Sequence, residues 1–147
     1  MWLLYGLALL AGIANAVQSG TNATLSKSLD QPFAAAIVVS LVGGATLLVV
    51  GLILGRFALP NMGAIRSVPP WAWFGGAMGA LLILSQLFVA QRIGAAPYLG
   101  LLITAGVITS IVLDHFGWVG FERHPVSLWR VLGGLLMAGG IALVAMF

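Results

Sequence analysis

An all-α, polytopic membrane protein with five transmembrane helices is the fold class this sequence predicts, and three observations lead there. Hydrophobic residues make up 61% of the 147-residue chain and charged residues 6%, with a mean hydropathy of +1.14. A soluble domain of this length needs far more charge on its surface. The apolar residues fall into five runs, each near the ~20 residues that cross a ~30 Å hydrocarbon core at ~1.5 Å per residue. Between the runs lie short loops in which the six Lys and Arg are scattered as topology signals.

Taken in order, span 1 is predicted from Trp2 to Leu25, followed by a polar link from Ser26 to Gln31. Pro32 suits the first turn of span 2, having no N–H to leave unpaired, and that span runs to Gly55. The segment Arg56 to Pro70, with Pro60, Pro69 and Pro70, reads as an irregular loop. Span 3 covers Trp71 to Ala90, and a tight turn around Gly94 makes it the antiparallel neighbour of span 4, Ala96 to Asp114. A surface loop from His115 to Ser127 precedes span 5, Leu128 to Phe147. Trp2, Tyr5, Trp71, Trp73, Tyr98, Trp118 and Trp129 fall near span ends, where aromatic belts form. No loop is long enough for a soluble domain, so residues 1–147 read as a single transmembrane domain.

Ala14-Asn15-Ala16 matches the small-x-small pattern of a signal-peptidase site, yet no Lys or Arg precedes the apolar run, so the segment reads as the first span. Five spans put the termini on opposite sides. Arg56, Arg66, Arg123 and Arg130 then lie on the N-terminal side and Lys27 and Arg92 on the other. The positive-inside rule favours a cytoplasmic N-terminus by a surplus of only two, a bias weak enough for insertion either way. An odd number of spans is what makes a tandem duplication inverted, so the chain reads as half of an inverted-repeat, ten-helix transporter.

The polar residues inside the spans carry the candidate chemistry. Asn15, Gln18, Ser19, Asn22 and Ser26 follow the steps i, i+3, i+4, i+7, i+11, which a helix gathers within an arc of about 100°. Unpaired polar groups cost several kcal/mol in lipid, so this stripe faces other protein or a water-filled cavity. Two readings stand side by side: a substrate-binding cavity lined by Asn15, Gln18, Ser19, Asn22 and, from span 3, Gln86; or amides that bond neighbouring helices together. Asp114 is the only acid adjoining a span core. At a helix C-terminus it needs a partner, which makes it either a structural contact to loop amides, His115 or Arg123, or a gating and coupling group. Small residues repeating every four positions (Gly51 and Gly55; Gly75 and Gly79; Gly134, Ala138 and Ala142) read as packing seams, the last as a candidate dimer contact.

Several classes are excluded. With no cysteine, disulfides, thiolate metal sites and a Cys nucleophile are out, and His115 and His124 lack any ligand pattern around them. No Ser-His-Asp grouping, HExxH or P-loop occurs, so neither an enzyme, a metal nor a cofactor is expected, and the basic balance belongs to topology rather than to a nucleic-acid partner.

Certain runs resemble a known family. They are Asn22-x-x-Leu25 with Pro32-x-x-Ala35, Trp71-x-Trp73-x-Gly75-Gly76-x-x-Gly79-Ala80, and Ser110 to Trp118 containing Asp114-His115-Phe116-Gly117, with Pro125, Arg130 and Gly133 downstream. Together they resemble the five-helix YdcZ-like inner-membrane exporters of the drug/metabolite transporter (DMT) superfamily. That family often has Gly-Gln in its fourth helix, where this chain has Gly106-Val107. The resemblance implies a multi-pass protein of the bacterial inner membrane that exports small organic solutes, as a dual-topology antiparallel homodimer or with an oppositely oriented homologous partner. The rival reading is a non-transporting subunit or regulator of a larger membrane complex.

Overall fold

The computed structural model describes all 147 residues, and it is helical throughout, with no strand. Five helices are long and apolar enough to cross a membrane: α1 (Trp2–Leu29), α2 (Pro32–Ile53), α3 (Pro70–Ile93), α4 (Ala95–Phe116) and α5 (Leu128–Met146). A short helix, Met62–Ser67, interrupts the expected irregular loop, capped where the Asn61 carboxamide accepts from the Ala64 amide at 2.7 Å. The chain divides into two compact units, Met1–Gln91 with α1 to α3 and Arg92–Phe147 with α4 and α5.

Helix ends follow backbone chemistry more than hydropathy. α1 runs past Leu25 and takes in Ser26 and Lys27, stopping only where Asp30 adopts the left-handed conformation, φ 51°. Pro32 then opens α2 at its first turn. Gly51 and Gly55, read from their spacing as a helix-packing seam, instead close α2. Gly55 takes φ 62°, and the amides of Arg56 and Phe57 both return to the Gly51 carbonyl, at 2.9 and 3.1 Å. Between α3 and α4 only Gly94, at φ 93°, breaks the helix, so Gln91 to Ile93 are helical.

The first unit has a polar interior and an apolar exterior. Ser19, Asn22, Ser26 and Gln86 are buried beside Ala35, Leu87 and Ala90, whereas the leucines and isoleucines of α1 and α2 other than the half-buried Leu25 stand exposed. This suits hydrocarbon, where apolar surface gains nothing by turning inward and polar groups must find partners. Hydroxyls within the spans accordingly bond their own helix: Ser40 donates to the Ala36 carbonyl at 2.9 Å and Thr46 to that of Val42 at 2.8 Å. Phe33 of α2 meets Phe88 of α3 edge to face, 5.9 Å between centroids.

α3 changes character along its length. It starts as a 3₁₀ turn over Pro70–Trp73, continues as α-helix over Phe74–Ser85, and widens to a π-helical turn over Gln86–Ala90. The loosening has a local cause. The Ser85 hydroxyl donates to the Leu82 carbonyl at 2.8 Å, and the Gln86 amide is shared between the carbonyls of Leu82 and Ile83. A carbonyl serving two donors weakens the regular ladder where the wide turn begins.

In the second unit α4 and α5 pack through glycine. A Cβ on Gly100 would overlap the Cδ1 of Ile141 and sit 2.6 Å from its Cγ1, so the Ile141 side chain occupies the space over Gly100 and would have to shift for any larger residue there. Gly134 also faces α4 but less tightly, its Cβ position in ordinary contact at 3.7 Å from Ile108 and 3.8 Å from Ile111. Ser127 caps α5, accepting from the Arg130 amide at 3.4 Å. We expect Gly100→Ala to lower stability by about 1–3 kcal/mol through overpacking, and Ile141→Ala to restore most of that loss in the double variant. Unfolding in mild detergent measures both, and a Gly100→Ala chain as stable as the parent would refute the close approach.

Candidate functional site

Four of the five polar residues in the α1 stripe turn inward. Ser19, Asn22 and Ser26 are 2%, 4% and 6% exposed and Asn15 is half-buried, while Gln18 is exposed. At 100° per residue Gln18 lies about 60° from Asn15 around the helix, on the rim next to Leu25 and Thr21 rather than at the centre of the stripe. The stripe therefore has an inner row and an outer edge with different partners.

The inner row is bound to α3 by one side chain. Gln86, 4% exposed, accepts from the Asn22 Nδ2 through its Oε1 at 2.7 Å and donates from its Nε2 to the Asn15 Oδ1 at 3.1 Å. Asn15 and Asn22 stand two turns apart, roughly 10 Å along the helix, and Gln86 fills the gap with both ends of its amide. A residue able to donate and accept at once is required there, since a buried amide half left unpaired costs about 1–3 kcal/mol. Ser19, between them, donates to the Asn15 carbonyl at 3.1 Å. Asn15, Asn22 and Gln86 are thus brought together by direct contact, as interhelical bonding requires.

The outer edge opens on a groove between α1 and α2. Gln18, Thr21, Asn22 and Leu25 line one wall and Val38, Val39, Val42 and Gly43 the other, enclosing about 420 Å³. Thr21 spends its proton on the Gln18 carbonyl at 3.0 Å. The Gln18 carboxamide makes no hydrogen bond, although it lies well inside an apolar span. A second groove between α2 and α3, about 370 Å³ in volume, is lined by apolar groups and by Ser40, whose hydroxyl is already bonded to its own helix.

Asp114 finds its partner on α5. Its Oδ2 lies 3.4 Å from Nη1 of Arg130, a residue that sequence reasoning did not connect to it. Arg123 instead donates from Nε to the His115 carbonyl at 3.2 Å, while His115 accepts the Val126 amide at Nδ1, also at 3.2 Å. With the His124 amide on the Asp114 carbonyl at 2.8 Å, the 117–127 loop folds back over the end of α4 and satisfies its orphan carbonyls. Of the candidate dimer-contact residues, Gly134 is buried against α4, Ala138 is half-buried and Ala142 is exposed. No group of three or more His, Asp or Glu that could hold a metal ion occurs.

An amide cluster inside an apolar helical body agrees with what the sequence matches. Residues 3–143 fit the family described as "Putative inner membrane exporter, YdcZ" (DMT_YdcZ). The chain belongs to that family. Membership places it in the inner membrane, in a family described as exporters, which is a transport rather than an enzyme class. Neither a curated protein nor a solved structure matches the chain.

Replacing Gln86 by Leu should cost about 1–2 kcal/mol, because Asn15 and Asn22 each lose a partner. Adding Asn15→Leu and Asn22→Leu should recover part of that loss, a non-additivity that detergent unfolding of the single, double and triple variants would read out. Simple additivity would show that the three amides do not act as one unit. By contrast, Asp114→Asn should change stability by less than about 1 kcal/mol, as expected for a partly exposed ion pair.

Proposed function

We propose that this YdcZ-family chain is one half of a small-molecule exporter that assembles with a second half of opposite orientation, either another copy of itself or a homologous partner. A polar cavity lies between the halves, and transport proceeds by rocking them about that cavity. α1 supplies its wall. Gln18 contacts the solute; Asn15, Ser19, Asn22 and Gln86 hold the wall in place and present the remaining amide and hydroxyl oxygens. Asp114, tied to Arg130 at one end of α4, serves as the gating or coupling group.

The observation that carries this reading is the unpaired carboxamide of Gln18 beside a self-bonded amide cluster. Interhelical bonding accounts for Asn15, Asn22 and Gln86, which pair with each other. It leaves Gln18 unexplained, and lipid does not tolerate a bare amide at that depth without a cost of several kcal/mol. Water and solute in a cavity supply what lipid lacks. The small surplus of positive charge on one side supports two-way insertion.

Orientation is the direct test. Ser67 lies in the loop between α2 and α3, in a chain without native cysteine. With Ser67→Cys, a membrane-impermeant thiol reagent applied to intact cells should label about half of the protein, the remainder reacting only after permeabilisation, if copies insert both ways. Labelling from one side alone would eliminate the antiparallel pair of identical chains and require an inverted partner.

A further inference from the structure

The groove between α1 and α2 presents an uneven set of hydrogen-bonding groups, and that unevenness specifies a ligand. Thr21 has committed its only proton to the Gln18 carbonyl, which leaves its oxygen as an acceptor, and Asn22 has committed one N–H to Gln86, which leaves its carboxamide oxygen and a second N–H. Gln18 alone retains a free amide, which donates and accepts at once. The opposite wall, Val38 and Val42 flanking Gly43, is apolar. A Cβ at Gly43 would meet nothing within 4 Å, so the wall is recessed at that point.

No charged side chain lines this groove. The nearest charge along α1 is Lys27, nine residues or about 13 Å from Gln18. An ion entering the groove would lose its hydration with no counter-charge to replace it, a heavier loss than a neutral hydrogen-bonding group suffers. The volume, about 420 Å³, falls within the ~300–1,000 Å³ common for small-molecule sites.

We propose that the α1–α2 groove binds an uncharged small molecule carrying N–H groups, its urea- or carboxamide-like edge paired with Gln18 and its apolar body against Val38 and Val42. The N–H donors of such an edge meet the acceptor oxygens of Gln18, Thr21 and Asn22, while its carbonyl takes the Gln18 Nε2 proton. Donor-rich neutral solutes are selected over lipophilic cations. This assignment names the cargo class of the exporter proposed above and rests on that reading for the ligand being transported.

Occupancy is tested apart from transport. Gly43→Cys, made in the full-length chain that has no other cysteine, places a thiol in the groove, and its alkylation by N-ethylmaleimide is timed in liposomes. Phenylurea serves as the neutral probe and tetraphenylphosphonium as the cation. Saturating phenylurea should slow alkylation about tenfold, and tetraphenylphosphonium should leave it unchanged. Adding Gln18→Leu should abolish the protection, whereas Gln18→Asn, which keeps the amide, should retain part of it and shows that the fold survives substitution at this position.

The proposal is overturned if phenylurea gives no protection, if protection persists without the Gln18 amide, or if the cation protects equally. It is also overturned if the introduced thiol forms a disulfide with a second copy before any probe is added, because the groove is then filled by protein. Uptake of radiolabelled phenylurea into the same liposomes separates the two readings. Protection without uptake retains the site and removes the exporter, and uptake of a cation without phenylurea protection does the reverse.

Discussion

One carboxamide joins the first unit together. Gln86 reaches from α3 to two positions of α1 and satisfies a donor and an acceptor simultaneously. In hydrocarbon there is no water to relieve an unpaired amide, so Asn15, Asn22 and Gln86 must meet one another where α1 and α3 lie side by side. The rest of the unit follows from it. Asn15 and Asn22 turn inward because Gln86 is there, Ser19 and Ser26 are buried on the same face, and most apolar side chains of α1 are left to face the bilayer. Gln18 is displaced to the rim, and the groove beside α2 acquires its polar edge. The family is described as one of inner-membrane exporters, and any solute crossing a membrane needs hydrogen bonds to replace those it leaves behind in water.

The five helices were legible in the sequence because each apolar run is long and its ends carry Pro, Gly or charge. The buried faces were less so. Strict 3.6-residue periodicity placed Asn15, Asn22 and Gln18 on one stripe, but a stripe about 100° wide spans both the contact and its margin, and only the helix that packs against it decides which residue falls where. Gln86 was recognisable as a costly group in lipid; that it would use both ends of its amide on two asparagines depended on the register of α1 against α3, which no local pattern encodes. For the same reason Arg130 was missed as the partner of Asp114. Sixteen residues separate them, and the pairing exists only because α5 returns alongside α4.

Glycines show the limits of spacing in another way. A repeat every four residues suggested seams at Gly51 with Gly55 and at Gly134. The first pair terminates α2, and only Gly134 packs against a neighbouring helix. The tightest helix contact falls at Gly100, which is not among the seams read from the sequence. What makes Gly100 critical is the β-branched Ile141 opposite it, whose rotamers are restricted and which yields little room. Close packing is a property of a facing pair, and a single strand of sequence contains half of it.

The wide turn of α3 has a geometric effect on how that helix presents itself to its surroundings. A π-helical turn holds roughly one more residue than an α-helical one, an excess equivalent to about 100° of azimuth. The part of α3 before Gln86, with Gly75, Gly76 and Gly79 facing open space, and the part after Ala90 are therefore out of phase with each other. A helical wheel drawn over the whole span would assign the last turn to the wrong compass point. The two ends of α3 can thus address different neighbours, with the phase offset between them set at the one place where the helix is fastened to α1.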